Sequence, residues 1–233
     1  MEQWLEWARG PFFRFAIIIM ALGLIRQVIL TAFGITQVMR NAGDPNLPYG
    51  KVAIATLKWL FPFKNLNNRL LYSITSVIFH IGIIITPLFL LPHIALWKKG
   101  LGISWPSLSH AVDDVLTLIT IVTISALIIG RISNRNSRHL SRLQDYLLPP
   151  LIIIPFVTGY LAMHPWINPF NYTAIMLVHV MSGNLIFVLV PFTKLSHCVL
   201  LPATQLVSEV GWHFPADSGE AVAHALHKEG EPV

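Results

Sequence analysis

The residues of this chain most able to support chemistry are two histidines near the ends of one apolar run. The run covers residues 174–197, AIMLVHVMSGNLIFVLVPFTKLSH, and is long enough to cross a bilayer. His179 and His197 are eighteen residues apart, which is five turns of a regular helix, so both imidazoles are predicted to share one face, roughly 27 Å apart along the axis. Ionisable residues at membrane depth indicate functional sites. A second helix with its own histidines would complete two bis-histidine sites for b-type haem.

The preceding sequence offers such a helix. A second apolar run, Leu70–Pro92, carries His80 and is followed directly by His93. Gly82 lies close to His80, and Gly183 lies one turn after the first histidine of the last run, so side chains are missing where a porphyrin plane would pass. Close helix packing in lipid explains each glycine equally well.

The overall composition is that of an integral membrane protein. Hydrophobic residues make up 54% of the 233 residues and charged residues only 12%, with a mean hydropathy of +0.62, which is far too apolar for an ordinary soluble domain. The lone cysteine, Cys198, excludes an internal disulfide. The basic residues lie in short loops, where membrane orientation explains them better than nucleic-acid binding does.

The apolar runs predict the fold class and the domain organisation. We expect an all-α integral membrane protein, a bundle of five transmembrane helices with haem sites between helices two and five. Residues 1–200 are predicted to form the membrane domain and residues 201–233 a cytoplasmic tail. The tail contains a predicted short helix that begins at Asp217, has Glu220 as capping-box partner and ends at Gly230. This helix is either a solvated terminus or a docking element for a cytoplasmic subunit.

The predicted spans are about Phe12–Phe33, Leu70–Pro92, Val112–Gly130, Tyr146–Ala162 and 174–197.

The distribution of basic residues predicts the orientation. The first and third loops contain nine Lys or Arg residues, whereas the second and fourth contain only Lys98 and Lys99. Loops rich in Lys and Arg remain in the cytoplasm, so the N-terminus is predicted outside and the C-terminus inside. Arg26, within the first span, either reaches the headgroups or faces the bundle and pairs with an anion.

Two motifs carry a resemblance to a known family. FHIGIII around His80 and HVMSGNLIFVLVPFTKLSH at residues 179–197 resemble the gamma-subunit family of respiratory nitrate reductase, whose members are five-span dihaem cytochromes b that exchange electrons with quinones. The likeness covers roughly residues 12–200. It implies that His80 pairs with His197 at a cytoplasmic haem, and that His93 pairs with His179 at an outer haem.

The resemblance also implies a quinone site beside the outer haem, with a lysine that follows the second span. Lys98 and Lys99 are the candidates for that lysine, next to Trp97, and Arg26 marks a different possible position for the site. The quinone would be menaquinone or ubiquinone. The expected location is the inner membrane of a prokaryote.

The expected function is that of a membrane subunit that passes electrons between the quinone pool and a partner oxidoreductase. The partner implied by the resemblance is an iron–sulfur or other redox subunit on the cytoplasmic side, or an outer multihaem cytochrome. The chain has no dinucleotide fingerprint, phosphate loop or catalytic triad, so substrate chemistry is expected in another subunit. The alternatives are a monohaem electron carrier that uses His80 and His197, and a haem-free transporter or assembly subunit.

One histidine spacing departs from the family. The second-span histidines of the family are ten residues apart, whereas His93 follows His80 by thirteen, which puts their side chains about 140° apart on an ideal helix. Pro87 and Pro92 are placed to rotate the end of that span. His110, at the head of the third span, is the reserve ligand. The remaining histidines are expected to be ordinary surface residues: His139, His164, His213, His224 and His227.

Overall fold

The computed structural model describes residues 1–42, 48–60, 70–211 and 218–230, and every regular element within these ranges is helical. A π-helical turn at Ala8–Phe12 connects the first two helices, and two short 3-10 turns, Val190–Phe192 and Lys194–Ser196, lie between the ninth and the tenth. In chain order the α-helices are α1 (Glu2–Trp7), α2 (Phe13–Ala42), α3 (Tyr49–Leu60), α4 (Leu70–Phe89), α5 (Leu91–Leu101), α6 (His110–Ser133), α7 (Arg135–Leu140), α8 (Leu143–Met163), α9 (Tyr172–Leu189), α10 (His197–Gly211) and α11 (Ser218–Ala225).

Five helical segments of the described chain are long and apolar enough to cross a membrane, which confirms the predicted all-α class and number of spans. Large apolar side chains point outward from them, including Leu71 at 83% exposure and Val122 at 65%. Such surfaces are unfavourable in water and are expected against lipid tails. The segments are Glu2–Gln37, Leu70–Phe89, His110–Ser133, Leu143–Met163 and Tyr172–Phe192.

The chain forms two compact units. The first takes in Met1–Leu22 and the described part of Phe63–Leu195, and the second takes in the described parts of Gly23–Pro62 and Ser196–Val233. This division differs from the predicted boundary at residue 200. In the second unit, α3 packs against α10, and buried Val52 contacts Met39 and Leu206.

In the first unit, α4 packs against α6, α6 against α8, and α8 against α9. Phe79, Ile124 and Ile152 form the core where these helices meet. Gly82 explains how α4 approaches α6 so closely, because a β-carbon at position 82 would overlap the Thr120 hydroxyl oxygen. Gly82 therefore allows the close packing of α4 against α6, and its role beside a cofactor stays a prediction.

The second span ends earlier than predicted because its helix breaks at Leu90, whose φ of −71° and ψ of 125° are extended. Pro92 has no N–H, so the helix loses the donor that the Leu88 carbonyl would accept from. The indole N–H of Trp105 donates to that carbonyl at 2.7 Å, and the Leu108 N–H donates to the Phe89 carbonyl at 3.1 Å. The two carbonyls that the break leaves without a helical partner thus accept hydrogen bonds from other donors. Helix α5 begins after the break, so His93 does not continue the face of α4.

The fifth span also ends earlier than predicted. Helix α9 ends at Leu189, and Pro191 lies in the first of the two 3-10 turns that precede α10. The prediction that His179 and His197 share one face of a regular helix is therefore wrong, because that prediction needed an unbroken helix over eighteen residues. Proline removes a backbone donor and disfavours continuation of the helix through it.

The tail contains a short helix, as predicted, but its end differs. Helix α11 ends at Ala225, before Gly230, and His227 adopts a left-handed conformation with φ of 55°. The Lys228 N–H donates to the Ala223 carbonyl at 2.8 Å and closes the terminus. Gly230 is therefore not the residue that ends the helix. Asp217, the predicted N-cap, lies outside the described residues.

Candidate functional site

A cavity of about 610 Å³ lies within the first unit, and its size is typical of ligand sites. Helices α4, α5, α6, α8 and α9 and the π-helical turn all contribute to its wall. Most of that wall is apolar. The lining includes Phe13, Ile83, Leu96, Ile152, Phe156 and Phe187 among the apolar residues, and Arg9, His93, Lys99, His110, Asp114 and His179 among the titratable ones.

His93 and His179 come together in this cavity. Their ring centroids are 5.8 Å apart and the ring planes differ by only 14°. The pairing depends on the helix break at Leu90, because α5 gives His93 a direction that a continuous second span would not give it. Of the two predicted histidine pairs, this one lies entirely within the first unit.

Both imidazoles are held by backbone carbonyls of prolines. His93 Nδ1 lies 3.0 Å from the Pro87 carbonyl oxygen, and His179 Nδ1 lies 2.8 Å from the Pro155 carbonyl oxygen. A carbonyl oxygen only accepts, so each Nδ1 carries the hydrogen and each Nε2 keeps its lone pair. Metal-bound histidines show this arrangement almost always, because the second hydrogen bond fixes the tautomer and the ring orientation.

Gly159 makes the position of His179 possible. A β-carbon at residue 159 would come within 2.8 Å of Cε1 and 3.0 Å of Nδ1 of the His179 ring. The missing side chain lets the imidazole reach the Pro155 carbonyl on the surface of α8. Gly159 was not predicted as a site residue. The sequence feature that could have indicated it is a glycine one turn after Pro155, among large apolar residues.

His93 and His179 are the residues of this cavity that could hold a metal ion or the iron of a haem, because imidazole nitrogen is a common metal ligand and the two ring centroids are 5.8 Å apart. Burial lowers the pKa of His93 below its ordinary value, against the hydrogen bond to Pro87, which raises it. A neutral imidazole is the form that binds a metal. In the part of the chain that the structure describes, no group of three or more His, Cys, Asp or Glu side chains is arranged to hold a metal ion.

Two further features of the cavity wall provide a polar atom and open space for a ligand. The hydroxyl oxygen of Thr86 is buried in this wall without a hydrogen-bond partner. A β-carbon added at Gly183, which also lines the cavity, would meet no atom within 4 Å. Gly183 thus differs from Gly82, because it adjoins open space and not a neighbouring helix.

The other predicted ligands lie as follows. His80 is exposed on α4, and its Nδ1 lies 2.6 Å from the Ser76 carbonyl oxygen. His197 is exposed at the start of α10 and belongs to the second unit. His110 lines the same cavity as His93, but its Nδ1 lies 3.5 Å from an oxygen of Asp114.

The predicted quinone residues separate into two groups. Trp97 and Lys99 line the cavity, and the Trp97 ring packs edge-on against Phe13 at 5.8 Å. Lys98 is exposed and is not among the cavity-lining residues. Arg26 is exposed on α2 in the second unit.

His164 is buried, so the prediction that it is an ordinary surface residue is wrong. It is only 6% exposed, and its ring packs on Tyr160 with centroids 4.1 Å apart. The reason is that the residue ends α8 and turns back onto that helix, where its Nδ1 lies 2.8 Å from the Tyr160 carbonyl oxygen. His139, His224 and His227 are exposed, as predicted, and His213 lies outside the described residues.

Arg9 is a second residue that sequence reasoning missed. It lies half-buried in the π-helical turn and lines the cavity. Pro11 prevents a regular helix here, and the Ala8 carbonyl accepts a hydrogen bond of 2.8 Å from Nδ2 of Asn184, which is 2% exposed. This bond fixes the turn to α9 and directs Arg9 to the cavity. The signal in the sequence was the triplet Arg-Gly-Pro at the start of an apolar run.

The comparisons with known proteins give one relative. It is a protein of Nitratidesulfovibrio vulgaris that is named only "Protein", and it is 32% identical over 196 residues, which is 82% of this chain and 85% of the relative. No family model matches the chain. No solved structure matches it either.

Proposed function

The chain belongs to the same family as the Nitratidesulfovibrio vulgaris protein, whose name states no activity, and from the site itself we propose that it is a membrane cytochrome b. In this proposal it exchanges electrons between the quinone pool and a partner oxidoreductase subunit through two b-type haems. It is then the quinone-reactive subunit of a hetero-oligomeric complex in a prokaryotic inner membrane, with substrate chemistry carried out by its partner.

The observation that carries this proposal is the geometry of His93 and His179. Two imidazoles whose Nδ1 hydrogens are held by the Pro87 and Pro155 carbonyls, with centroids 5.8 Å apart, form a ligand pair with both lone pairs available. If the two histidines served only packing and hydrogen bonding, nothing would require their rings to be nearly parallel in the wall of a large apolar cavity. Bis-histidine haem ligation requires this combination of paired imidazoles and apolar walls.

Each part of the cavity has a role in this proposal. His93 and His179 hold the iron, and the Phe156 and Phe187 side chains exclude water from the macrocycle. The cation of Arg9 faces the same cavity and suits a carboxylate at the edge of the ligand. A bound haem supplies one-electron transfer, and its potential depends on burial and nearby charge.

The second haem and the orientation in the membrane extend the proposal and rest on the sequence. His80 with His197 as the cytoplasmic ligand pair rests on the likeness of the FHIGIII and TKLSH motifs to the dihaem family. The basic first and third loops support a cytoplasmic C-terminus, which would place the His93–His179 haem and the quinone near the outer surface.

The experiment is a reduced-minus-oxidised absorption spectrum of the purified protein together with a haem-to-protein ratio. Two low-spin haems support the proposal in full. One haem that disappears in His179→Ala indicates a monohaem carrier at the site described here, and one that disappears in His197→Ala indicates the alternative monohaem pair. A wild-type protein without haem overturns the proposal in favour of a transporter or assembly subunit.

A further inference from the structure

A cluster of two histidines and a carboxylate lies at the ends of helices α6 and α8. Oδ2 of Asp114 lies 3.3 Å from Nε2 of His164 and 3.5 Å from Nδ1 of His110. The His164 ring is fixed between Tyr160, with centroids 4.1 Å apart, and Trp166, with centroids 4.8 Å apart. None of the three residues has a role in holding the haem proposed above.

The hydrogen bonds of His164 determine where a proton is bound. Its Nδ1 lies 2.8 Å from the Tyr160 carbonyl oxygen and therefore carries a hydrogen. Its Nε2 faces a carboxylate oxygen of Asp114, so without a further proton two lone pairs oppose each other at 3.3 Å. One added proton turns this repulsion into a charge-assisted hydrogen bond. Oδ2 of Asp114 and Nε2 of His164 are thus placed to share one proton.

The cluster connects the cavity with the surroundings of the protein. Asp114 and His110 both line the cavity, whereas His164 lies behind Asp114 and is almost fully buried. The His110 side chain is 61% exposed and the Asp114 side chain 32%. A proton taken from a ligand in the cavity therefore has a continuous route through Asp114 to an exposed imidazole.

Other charged and titratable groups also line the cavity. Two of them are cations, so the wall of the cavity carries positive charge that favours a ligand after it has lost a proton. Asp113, the neighbour of Asp114, is buried with 3% exposure. The groups from the surrounding elements are Arg9 of the π-helical turn, His93 and Lys99 of α5, Tyr160 of α8, and Tyr172 and His179 of α9.

We infer that Asp114 and His164 accept a proton from the hydroxyl of a quinol bound beside the proposed haem, where Asp114 and His110 line the cavity, and that His110 passes the proton to the aqueous side. This inference rests on the proposed function. A quinol that becomes a quinone loses two electrons and two protons: the electrons reduce two oxidised haems by one electron each. One O–H proton moves to the Asp114–His164 pair, and the proton of the opposite hydroxyl moves to water.

The experiment uses the purified, haem-loaded protein and a soluble quinol analogue, and it measures the rate of haem reduction against pH. Asp114→Asn and His164→Gln are expected to slow quinol-driven reduction roughly a hundredfold, which is the usual contribution of a general base. Both variants should keep the wild-type haem content and dithionite-reduced spectrum. Asp114→Glu, which retains the carboxylate, should recover part of the rate, and the exposed His139→Gln serves as the matched histidine control.

The outcomes separate the inference from the proposed function. Wild-type rates and an unchanged pH profile in both Asp114→Asn and His164→Gln would overturn the inference alone, because the haem would still be reduced by the quinol. A slow reduction that becomes independent of pH in both variants supports it. Wild-type protein that contains haem but does not react with the quinol analogue, or that contains no haem, overturns the proposed function and the inference with it.

Discussion

Gly159 lies against the imidazole of His179 so closely that a β-carbon at position 159 would come within 2.8 Å of the ring. The position of this histidine therefore depends on Gly159 as well as on the Pro155 carbonyl that accepts its hydrogen bond. The first prediction follows from this contact.

Gly159→Ala should displace His179 and lower the content of the haem bound there, by half or more, because overpacking a close contact costs about 1–3 kcal/mol. The measurement is the haem-to-protein ratio of the purified variant. Gly130→Ala is the matched control, since a β-carbon at that position meets nothing within 4 Å. Full haem content in Gly159→Ala would show that the ring does not need its observed position.

His93→Ala should remove the haem that His179 also ligates, whereas His110→Ala should leave the haem-to-protein ratio unchanged. The reason is that His93 is paired with His179, while His110 lies beside Asp114. Difference spectra of the two variants decide the assignment. Loss of haem in His110→Ala alone would make His110 the ligand and leave His93 without this role.

Gly82→Ala should destabilise the protein by about 1–3 kcal/mol or more, because the new β-carbon would overlap the Thr120 hydroxyl. Thermal unfolding in detergent, followed by circular dichroism, measures the effect. The double variant Gly82→Ala/Thr120→Ala should recover a large part of the loss, because it removes the overlapping oxygen. No recovery would point to a role for Gly82 other than the packing of α4 against α6.

Arg9→Gln should lower the midpoint potential of the haem at His93 and His179 by tens of millivolts, since a nearby cation favours the reduced, less positive iron. Arg9 lines the cavity, whereas Arg14 is exposed, with its Nε 3.5 Å from the Gly10 carbonyl oxygen. Arg14→Gln is therefore the matched control in the redox titration. Equal potentials for Arg9→Gln and the wild type would mean that this charge is screened from the iron.

Lys99→Ala should weaken binding of a quinol analogue several-fold, and Lys98→Ala should not. The two lysines are neighbours of the same charge, but only Lys99 lines the cavity. Both side chains are exposed, but a cation beside the apolar wall of a cavity binds a carbonyl or phenolate oxygen more strongly than one that adjoins only water. Inhibitor titrations of the two variants at constant haem content test the difference, and a larger effect of Lys98→Ala would place the quinone outside this cavity.

The sequence by itself determined the class of the protein, the number of its membrane helices and the histidines worth testing. These features depend on local properties, because hydropathy over about twenty residues decides whether a helix can cross a bilayer. Helix α8 runs from Leu143 to Met163 as one apolar span for this reason, even with three prolines inside it.

Only the tertiary structure decided which histidines meet. The break at Leu90 is stable because Trp105, seventeen residues after Leu88, donates to the Leu88 carbonyl, and no helical periodicity contains such a contact. Helical periodicity also does not predict three other contacts between residues far apart in the sequence, which are those of Gly159 with His179, Asn184 with Ala8 and His164 with Asp114. The periodicity of the sequence predicts which face of its own helix a side chain lies on. A binding site also depends on where helices end, because the backbone N–H and C=O groups left unpaired at those ends form hydrogen bonds with side chains of other helices.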